Sequence, residues 1–210
     1  MAADLRIEEY TVGPVMTNCY FIVNEDTKET LIIDPGDEAQ HLASRIESGQ
    51  LKPVAILLTH GHFDHAGAVA ELRAEFDVPV YAYEGEKETL ENPQINLSGM
   101  NGYTEIYKAD IFLKDEQVIE LAGFKIRVLF TPGHTPGGCC YYFEENKVLA
   151  SGDTLFCGSV GRTDFPGGSM SQLIRGIKEK LLVLPRDTVV LPGHEARTTI
   201  GYECEYNGFL

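Results

Sequence analysis

The sequence predicts a single domain, spanning residues 1–210, in which β-strands alternate with α-helices. Its length suits one large domain with a sizeable core. Apolar runs typical of strands recur between segments whose apolar residues have helical spacing. At four separated places a strand leads into a turn that carries histidine or aspartate, and open α/β sheets place their sites at such turns.

The first quarter of the chain predicts three strands and a helix. The strands are expected at 5–12, 18–24 and 29–33. Apolar residues then recur at helical spacing from Ala39 to Ile46, and Gly49 ends that helix. His41 falls on the opposite, charged face of the helix, so we expect it at the surface.

A buried strand and a histidine-rich turn follow. Val54–Leu58 is an unbroken apolar run, and residues 59–65 continue it as Thr-His-Gly-His-Phe-Asp-His. A helix is expected directly afterwards, at 66–73. The histidine-rich segment is therefore predicted to lie on a strand-to-helix turn.

The spacing within this turn suits metal binding. Residues two apart in an extended segment point the same way, so His60 and His62 can share one ion. Asp64 and His65 lie where the chain turns into the helix and can point to a second place. Imidazole with carboxylate is a donor set for zinc, iron or manganese, whereas magnesium and calcium prefer oxygen.

The segment between residues 78 and 103 carries weaker signals. A strand is expected at 78–83 and one or two helical turns at 84–90. From Glu91 to Tyr103 the pattern lapses into a long polar loop. Such a loop is often a lid or a binding loop, and a plain surface excursion fits it equally well.

The second half of the chain repeats the pattern of a strand followed by a candidate ligand. Its strands are expected at 118–121, 124–130, 139–143, 148–150 and, as the last one, 188–191. The second, fourth and last of these lead into turns that carry His134, Asp153 and His194. Ser169 with Gln172 resembles a capping box that opens a helix.

Composition argues against two classes of partner. The net charge is −15, from 17 basic against 32 acidic residues, which disfavours binding to nucleic acid or to an anionic membrane. No apolar run approaches the length of a membrane span, and the first residues lack the features of a signal peptide. Five cysteines without a Cys-x-x-Cys pair favour reduced thiols. We therefore expect a cytoplasmic protein.

Seven side chains form the candidate metal site. They are His60, His62, Asp64, His65, His134, Asp153 and His194. One zinc ion takes four ligands, so seven suit two divalent ions about 3.5–4 Å apart, with one bridging carboxylate and a bridging water. Zinc is expected first, with iron and manganese as alternatives.

The motifs of this chain resemble those of the metallo-β-lactamase-fold hydrolases and, within them, the glyoxalase II group. The resemblance rests on the stretches 59–65, 131–137, 151–156, 161–164 and 192–194, and it covers nearly the whole chain. It implies an αββα sandwich of the α+β class, with two central mixed sheets flanked by helices and the metals at one edge between them. The chain resembles the short single-domain form of the group.

The resemblance also implies roles for single residues. His60, His62 and His134 would hold the first ion, Asp64, His65 and His194 the second, and Asp153 would bridge. Asp64 would also act in catalysis by orienting the nucleophile. Arg162 is a candidate substrate contact, since the long glyoxalase II enzymes place a cationic contact for glutathione near this position. A surface arginine that pairs with Asp164 is an equal alternative.

The implied reaction is hydrolysis of a small-molecule thioester such as S-lactoylglutathione by attack of a metal-bound hydroxide. A persulfide dioxygenase, with one iron on His60, His134 and Asp153, is the first alternative. A lactonase, lactamase or other hydrolase on the same fold is the second. The oligomeric state stays open, with a homodimer among the alternatives.

Overall fold

The computed structural model describes residues 3–102 and 104–210. Met1, Ala2 and Tyr103, which fall in the predicted domain and in the predicted 91–103 loop, lie outside the described residues. The strands are β1 (Leu5–Val12), β2 (Thr17–Asn24), β3 (Glu29–Ile33), β4 (Lys52–Leu57), β5 (Val80–Tyr83), β6 (Ile111–Leu113), β7 (Val118–Leu121), β8 (Phe124–Phe130), β9 (Cys139–Phe143), β10 (Val148–Gly152), β11 (Leu155–Phe156), β12 (Ser159–Val160), β13 (Val189–Pro192) and β14 (Thr198–Thr199). The helices are α1 (Ala39–Ser48), α2 (Phe63–Ala66), α3 (Val69–Phe76), α4 (Lys87–Glu91), α5 (Met170–Gly176) and α6 (Ile200–Tyr206).

Two six-stranded mixed sheets form the centre of the molecule. The first sheet has the order β1-β2-β3-β4-β5-β6, with antiparallel pairing up to β3 and parallel pairing from β3 to β6. The second has the order β14-β13-β10-β9-β8-β7, in which β10 and β13 pair in parallel and the other neighbours antiparallel. Each sheet is therefore built from one contiguous half of the chain.

Three apolar cores separate four layers. Leu42 of α1 and Leu72 of α3 belong to the core on the first sheet, Ile22 and Tyr141 to the core between the sheets, and Leu173 of α5 and Ile200 of α6 to the core on the second sheet. Strand β2 contributes to two of these cores, because successive side chains of a strand point to opposite faces. Its Phe21 packs beneath the helices and its Ile22 packs between the sheets. The expected αββα sandwich in a single domain is confirmed.

The predicted helix at 66–73 is wrong in its bounds. The chain instead forms α2, which contains Asp64 and His65, and then α3. The helix is interrupted because the N–H of Ala68 donates to the carbonyl of Pro35, at 2.9 Å, in the turn after β3. This contact holds the end of α2 against the turn that follows β3.

The strand predicted at 188–191 is not the last one. After the turn at His194 the chain forms β14, which pairs antiparallel with β13. The short strands β6, β11 and β12 were also not expected. None of the helices among the described residues is long and apolar enough to cross a membrane.

The predicted cap of α5 is confirmed in one half. The Ser169 side chain accepts a bond from the N–H of Gln172 at 3.5 Å. The N–H of Ser169 donates to the carbonyl of Gly133, at 2.7 Å, rather than to Gln172. The start of α5 is therefore attached to the turn that carries His134.

Candidate metal centre

The seven predicted side chains come together at one edge between the two sheets. Residues that follow β4 or lie in α2, from the first half of the chain, meet residues that follow β8, β10 and β13 of the second half. The atoms His60 Nε2, His65 Nε2 and Asp153 Oδ1 are buried. The carboxyl ends of the strands thus deliver these donors to one place.

Asp153 lies at the centre of this cluster. Its Oδ1 is 3.3 Å from His65 Nε2, and its Oδ2 is 3.4 Å from His134 Nε2 and 3.5 Å from His194 Nε2. This position between the two groups of histidines is the one expected of a bridging carboxylate.

Two groups of donor atoms correspond to the division that the resemblance implies. In each group the donor atoms lie within 4.8 Å of one another; the groups are His60, His62 and His134, and Asp64, His65 and His194. Within the first group, His134 Nε2 and His62 Nδ1 are 3.0 Å apart. That these groups hold ions stays a prediction.

The outer hydrogen bonds of His60 and His65 fix which ring nitrogen faces the centre. Thr59 donates its hydroxyl to Asp34 at 2.6 Å, so its oxygen accepts from Nδ1 of His60 at 3.1 Å. The same carboxylate of Asp34 accepts from Nδ1 of His65 at 3.0 Å. Because Nδ1 of each ring bonds to one of these outer oxygens, Nε2 is the nitrogen that points to the centre.

Backbone carbonyls orient two further histidines of the cluster, His134 and His194. Nδ1 of His134 donates to the carbonyl of Arg162 at 2.7 Å, and Nδ1 of His194 donates to that of Met16 at 3.3 Å. Thr17 donates to Oδ2 of Asp64 at 2.9 Å. His134, His194 and Asp64 are therefore each oriented by a protein group outside the cluster.

Three buried atoms at the centre form no hydrogen bond of acceptable geometry among the described residues: Nε2 of His60, and Nε2 of His65 and Oδ1 of Asp153, which face each other at 3.3 Å. Leaving a buried polar atom unpaired costs about 1–3 kcal/mol, so three together call for an explanation. Bound cations supply it, because imidazole nitrogen and carboxylate oxygen are both ligands of zinc, iron and manganese. The residues therefore fit the metal ions that the resemblance implies.

The charge states within the cluster differ between its two sides. Burial lowers the pKa of His60 well below its ordinary value and that of His62 to about 3, so both rings are neutral. Burial opposes charge on His65 as well, but Asp153 and Asp64 raise its pKa well above the ordinary value. A cation that binds beside Asp153 would take the place of that proton.

Comparison with known proteins gives the family. The family model described as Metallo-beta-lactamase superfamily matches residues 12–194. The chain belongs to the metallo-beta-lactamase superfamily. As a superfamily member with this cluster of donors, it is a metallo-hydrolase.

Three similar proteins illustrate the range within the superfamily. The hydroxyacylglutathione hydrolase GloC of Haemophilus influenzae is 39% identical over 98% of both chains. The crystal structure of BLEG-1, a B3 metallo-beta-lactamase, is 42% identical, with a TM-score of 0.93, over 97% of this chain and 99% of that one. The structure of TTHA1623 in a di-iron-bound form is 38% identical, with a TM-score of 0.86, over 97% of this chain and all of that one.

A cavity of about 400 Å³ opens from the cluster to the surface, and we call it the centre cavity. Its walls include Asp64 and Asp153 together with the aromatic rings of Phe156 and Phe165. Arg162 also lines it, but two 2.6 Å hydrogen bonds pair the guanidinium with Asp164. Arg162 therefore lines the cavity, as a substrate contact would, and also pairs with Asp164, as a surface arginine would. Its contact with substrate stays a prediction.

Two buried carboxylates beside the cluster were not predicted. Asp34 could have been found, because it follows β3 directly and precedes Pro35-Gly36, in the same way that Asp153 follows β10. Glu86 gave no such signal. It is fully buried, and its Oε1 accepts a bond from the N–H of Gly61, at 2.9 Å, between two of the predicted ligands.

Glycines allow the close approach of the loops. Gly133, with φ +138°, lies so near α5 that an added Cβ would be 2.5 Å from the backbone N of Leu173. At Gly137 an added Cβ would be 2.3 Å from the backbone N of Glu86. The turn that carries His134 is therefore packed between α5 and the start of α4.

Proposed function

We propose that this metallo-hydrolase is a glyoxalase II-like enzyme that hydrolyses a thioester, with S-lactoylglutathione as the model substrate. The observation that carries the proposal is the cluster of seven donors, three of whose buried atoms are unpaired, at the base of a cavity open to solvent. Structural zinc sites are closed four-ligand cages, whereas catalytic sites keep an open position. The similarity to GloC supports the choice of substrate class.

The proposed cofactor is a pair of divalent ions, with zinc first and iron or manganese as alternatives. The first ion would be held by His60, His62 and His134, the second by Asp64, His65 and His194, and Asp153 would bridge them. When bound, such ions acidify water and polarise a carbonyl oxygen. The di-iron form of TTHA1623 supports iron as a competing choice.

Asp64 has the location required for orienting the attacking water. Its side chain is 13% exposed and lines the centre cavity, so a water there can donate a hydrogen bond to its carboxylate. The 2.9 Å bond from Thr17 holds the carboxylate in place. Holding both the water and the substrate carbonyl in one geometry removes much of the entropic barrier to attack.

A thioester requires less from the walls of the centre cavity than an amide does. Apart from the predicted ligands, the titratable side chains among its described lining residues are Arg162 and Glu195. Arginine stays protonated, so it is a poor proton donor to a leaving group. A thiol of ordinary pKa, about 8.5, can leave as thiolate without such a donor, whereas an amine cannot.

Two ligand variants test the proposal. His60→Ala and Asp153→Asn should each lower thioester hydrolysis by more than about 100-fold and reduce the metal content of the purified protein. The matched controls are His41→Ala and Asp187→Asn, at exposed positions remote from the cluster, which should leave both quantities unchanged. Full activity in either ligand variant would refute the proposed site.

A substrate panel separates the alternatives. The metal-loaded protein should hydrolyse the thioester faster than a lactone or a β-lactam, the latter included because of the similarity to BLEG-1. Oxygen uptake with glutathione persulfide, together with about one iron per chain, would favour the dioxygenase on His60, His134 and Asp153 instead. Faster turnover of the β-lactam would refute the thioester as the main substrate.

A further inference from the structure

A second and larger cavity adjoins the centre cavity. Its volume is about 850 Å³, and it shares four lining residues with the centre cavity: Val15, Phe63, Leu97 and Phe165. The shared apolar side chains form the boundary between the two spaces. A substrate whose carbonyl lies at the donor cluster can therefore extend one arm past Phe63 and Phe165.

The larger cavity carries negative charge without a balancing cation. Asp37, from the turn after β3, Glu71 of α3 and Glu105 line it, and no lysine, arginine or histidine does so among the described residues. None of these three carboxylates forms an ion pair with a described basic side chain. We call this cavity the acidic groove.

The arginine that lines the centre cavity does not offset this charge. Arg162 is paired with Asp164 through two hydrogen bonds, and its guanidinium lies 4.1 Å from the ring centre of Phe165. An anionic group entering the acidic groove would thus meet three carboxylates and no available guanidinium. A cationic group would be attracted by the three carboxylates, and a neutral group would meet no electrostatic penalty.

We propose that the acidic groove receives the thiol arm of the substrate and selects a neutral or cationic thiol over an anionic one. This inference rests on the thioester hydrolase function proposed above. The thiol arm is assigned to the groove because the centre cavity, at about 400 Å³, has room for a small acyl group, whereas the groove is about twice as large. Apolar walls such as Leu97 and Tyr107 suit the uncharged body of that arm.

The inference has a consequence for the model substrate. Glutathione carries more carboxylates than ammonium groups, so its thioester brings net negative charge into the groove. The same holds more strongly for a thiol carrier that bears phosphates. Both should be poorer substrates than an uncharged thioester of equal intrinsic reactivity.

Three acetyl thioesters of similar size test the selection. They are acetylthiocholine, which is cationic, S-(2-methoxyethyl) thioacetate, which is neutral, and the thioacetate of 3-mercaptopropionate, which is anionic. Thiol release by the metal-loaded protein gives kcat/KM for each ester. Each value is then divided by the rate constant for hydrolysis of the same ester by hydroxide, which removes differences in leaving-group reactivity. The cationic and neutral esters should exceed the anionic one by about 10-fold at low salt, and less at high salt.

A charge-matched pair of triple variants assigns the effect to the groove. In Asp37→Asn/Glu71→Gln/Glu105→Gln the ratio of cationic to anionic kcat/KM should fall by about 10-fold. In Glu47→Gln/Glu120→Gln/Glu179→Gln, at exposed positions outside the groove, the net charge changes equally and the ratio should stay the same. Thermal unfolding of both variants verifies that they are folded.

Each result bears on a different statement. Hydrolysis of all three esters at equal corrected rates would overturn the selection by the groove but leave the proposed function standing. An equal change of the ratio in both triple variants would have the same meaning. If the protein discriminates by charge only among thioesters that carry the charge on the acyl arm, and not among these three, the assignment of the thiol arm to the groove would be overturned. Absence of hydrolysis of any thioester would refute the proposed function and this inference with it.

Discussion

Replacing Glu86 with glutamine should make the free energy of unfolding of the metal-free protein fall less as pH rises. Burial raises the pKa of this carboxyl from its ordinary 4.5 to about 7, although the bond from the N–H of Gly61 favours its ionised form. Each tenfold change in proton affinity is worth about 1.4 kcal/mol, so ionising the buried group costs about 3 kcal/mol. Glutamine cannot ionise, and its Oε1 can still accept from Gly61.

The direction of the effect follows from proton binding. Below pH 4.5 the carboxyl is neutral in both the folded and the unfolded chain, and there is no cost. Between pH 4.5 and 7 the unfolded chain loses this proton first, so the free energy of unfolding falls as pH rises. Above pH 7 the cost is complete and constant.

Urea unfolding at several pH values measures this effect. Between pH 5.5 and pH 8.5 the wild-type protein should lose about 2 kcal/mol of unfolding free energy relative to Glu86→Gln. Both proteins are compared without metal, because the other titrating groups then contribute equally and cancel in the difference. Any change in packing that the amide of glutamine causes is independent of pH, so it shifts stability equally at every pH and leaves the slope unaffected.

Parallel pH profiles for the two proteins would refute this account of Glu86. That result would mean that the carboxyl has the same pKa in the folded and unfolded chain. A steeper fall in the glutamine variant would contradict it more strongly, since the sign would then be reversed.

Two further predictions concern the ligand loops. Gly133→Ala should lower stability by about 1–3 kcal/mol and reduce metal content, because the new Cβ would lie 2.5 Å from Leu173 at a residue with positive φ. The control is Gly208→Ala, because nothing lies within 4 Å of an added Cβ there. Equal metal content in the two variants would contradict the prediction. Removing metal with a chelator should lower the thermal midpoint, and metal at 100 times its Kd should restore about 3 kcal/mol of unfolding free energy. A midpoint that ignores chelation would argue against bound ions.

The donor cluster was predictable because five of its seven side chains follow a strand end within five positions, and Asp64 and His65 lie in the short helix directly after them. His134, Asp153 and His194 follow β8, β10 and β13, and a strand end fixes where the next few residues lie. Strand periodicity and turn residues are local signals, so they can be read from the sequence. The αββα arrangement came from the resemblance of these motifs rather than from the local pattern.

Glu86 shows where local signals fail. It lies in the helical turns predicted at 84–90, where four of the first five residues are charged, and such a composition gives no sign of a buried carboxylate. Its burial depends on loops that contain Gly61 and Gly137, and those contacts are set by the tertiary fold. The same reason explains the break between α2 and α3, since the bond from Ala68 to Pro35 joins distant turns.

The shortest strands could not be predicted for a different reason. β11, β12 and β14 have two residues each, too few for an alternating pattern to appear. β14 nevertheless matters for the site, because it follows the turn of His194 and pairs with β13.

The division of the sheets between the two halves of the chain makes fragment complementation feasible. A cut between Leu113 of β6 and Val118 of β7 would separate the sheets without interrupting a strand. One fragment would keep the four donors of the 59–65 segment and the other would keep Asp153 and the two remaining histidines. Neither fragment would keep the complete donor set of either proposed ion, so metal uptake would report reassembly of the halves, and the proposed ions would join two polypeptides across their shared face.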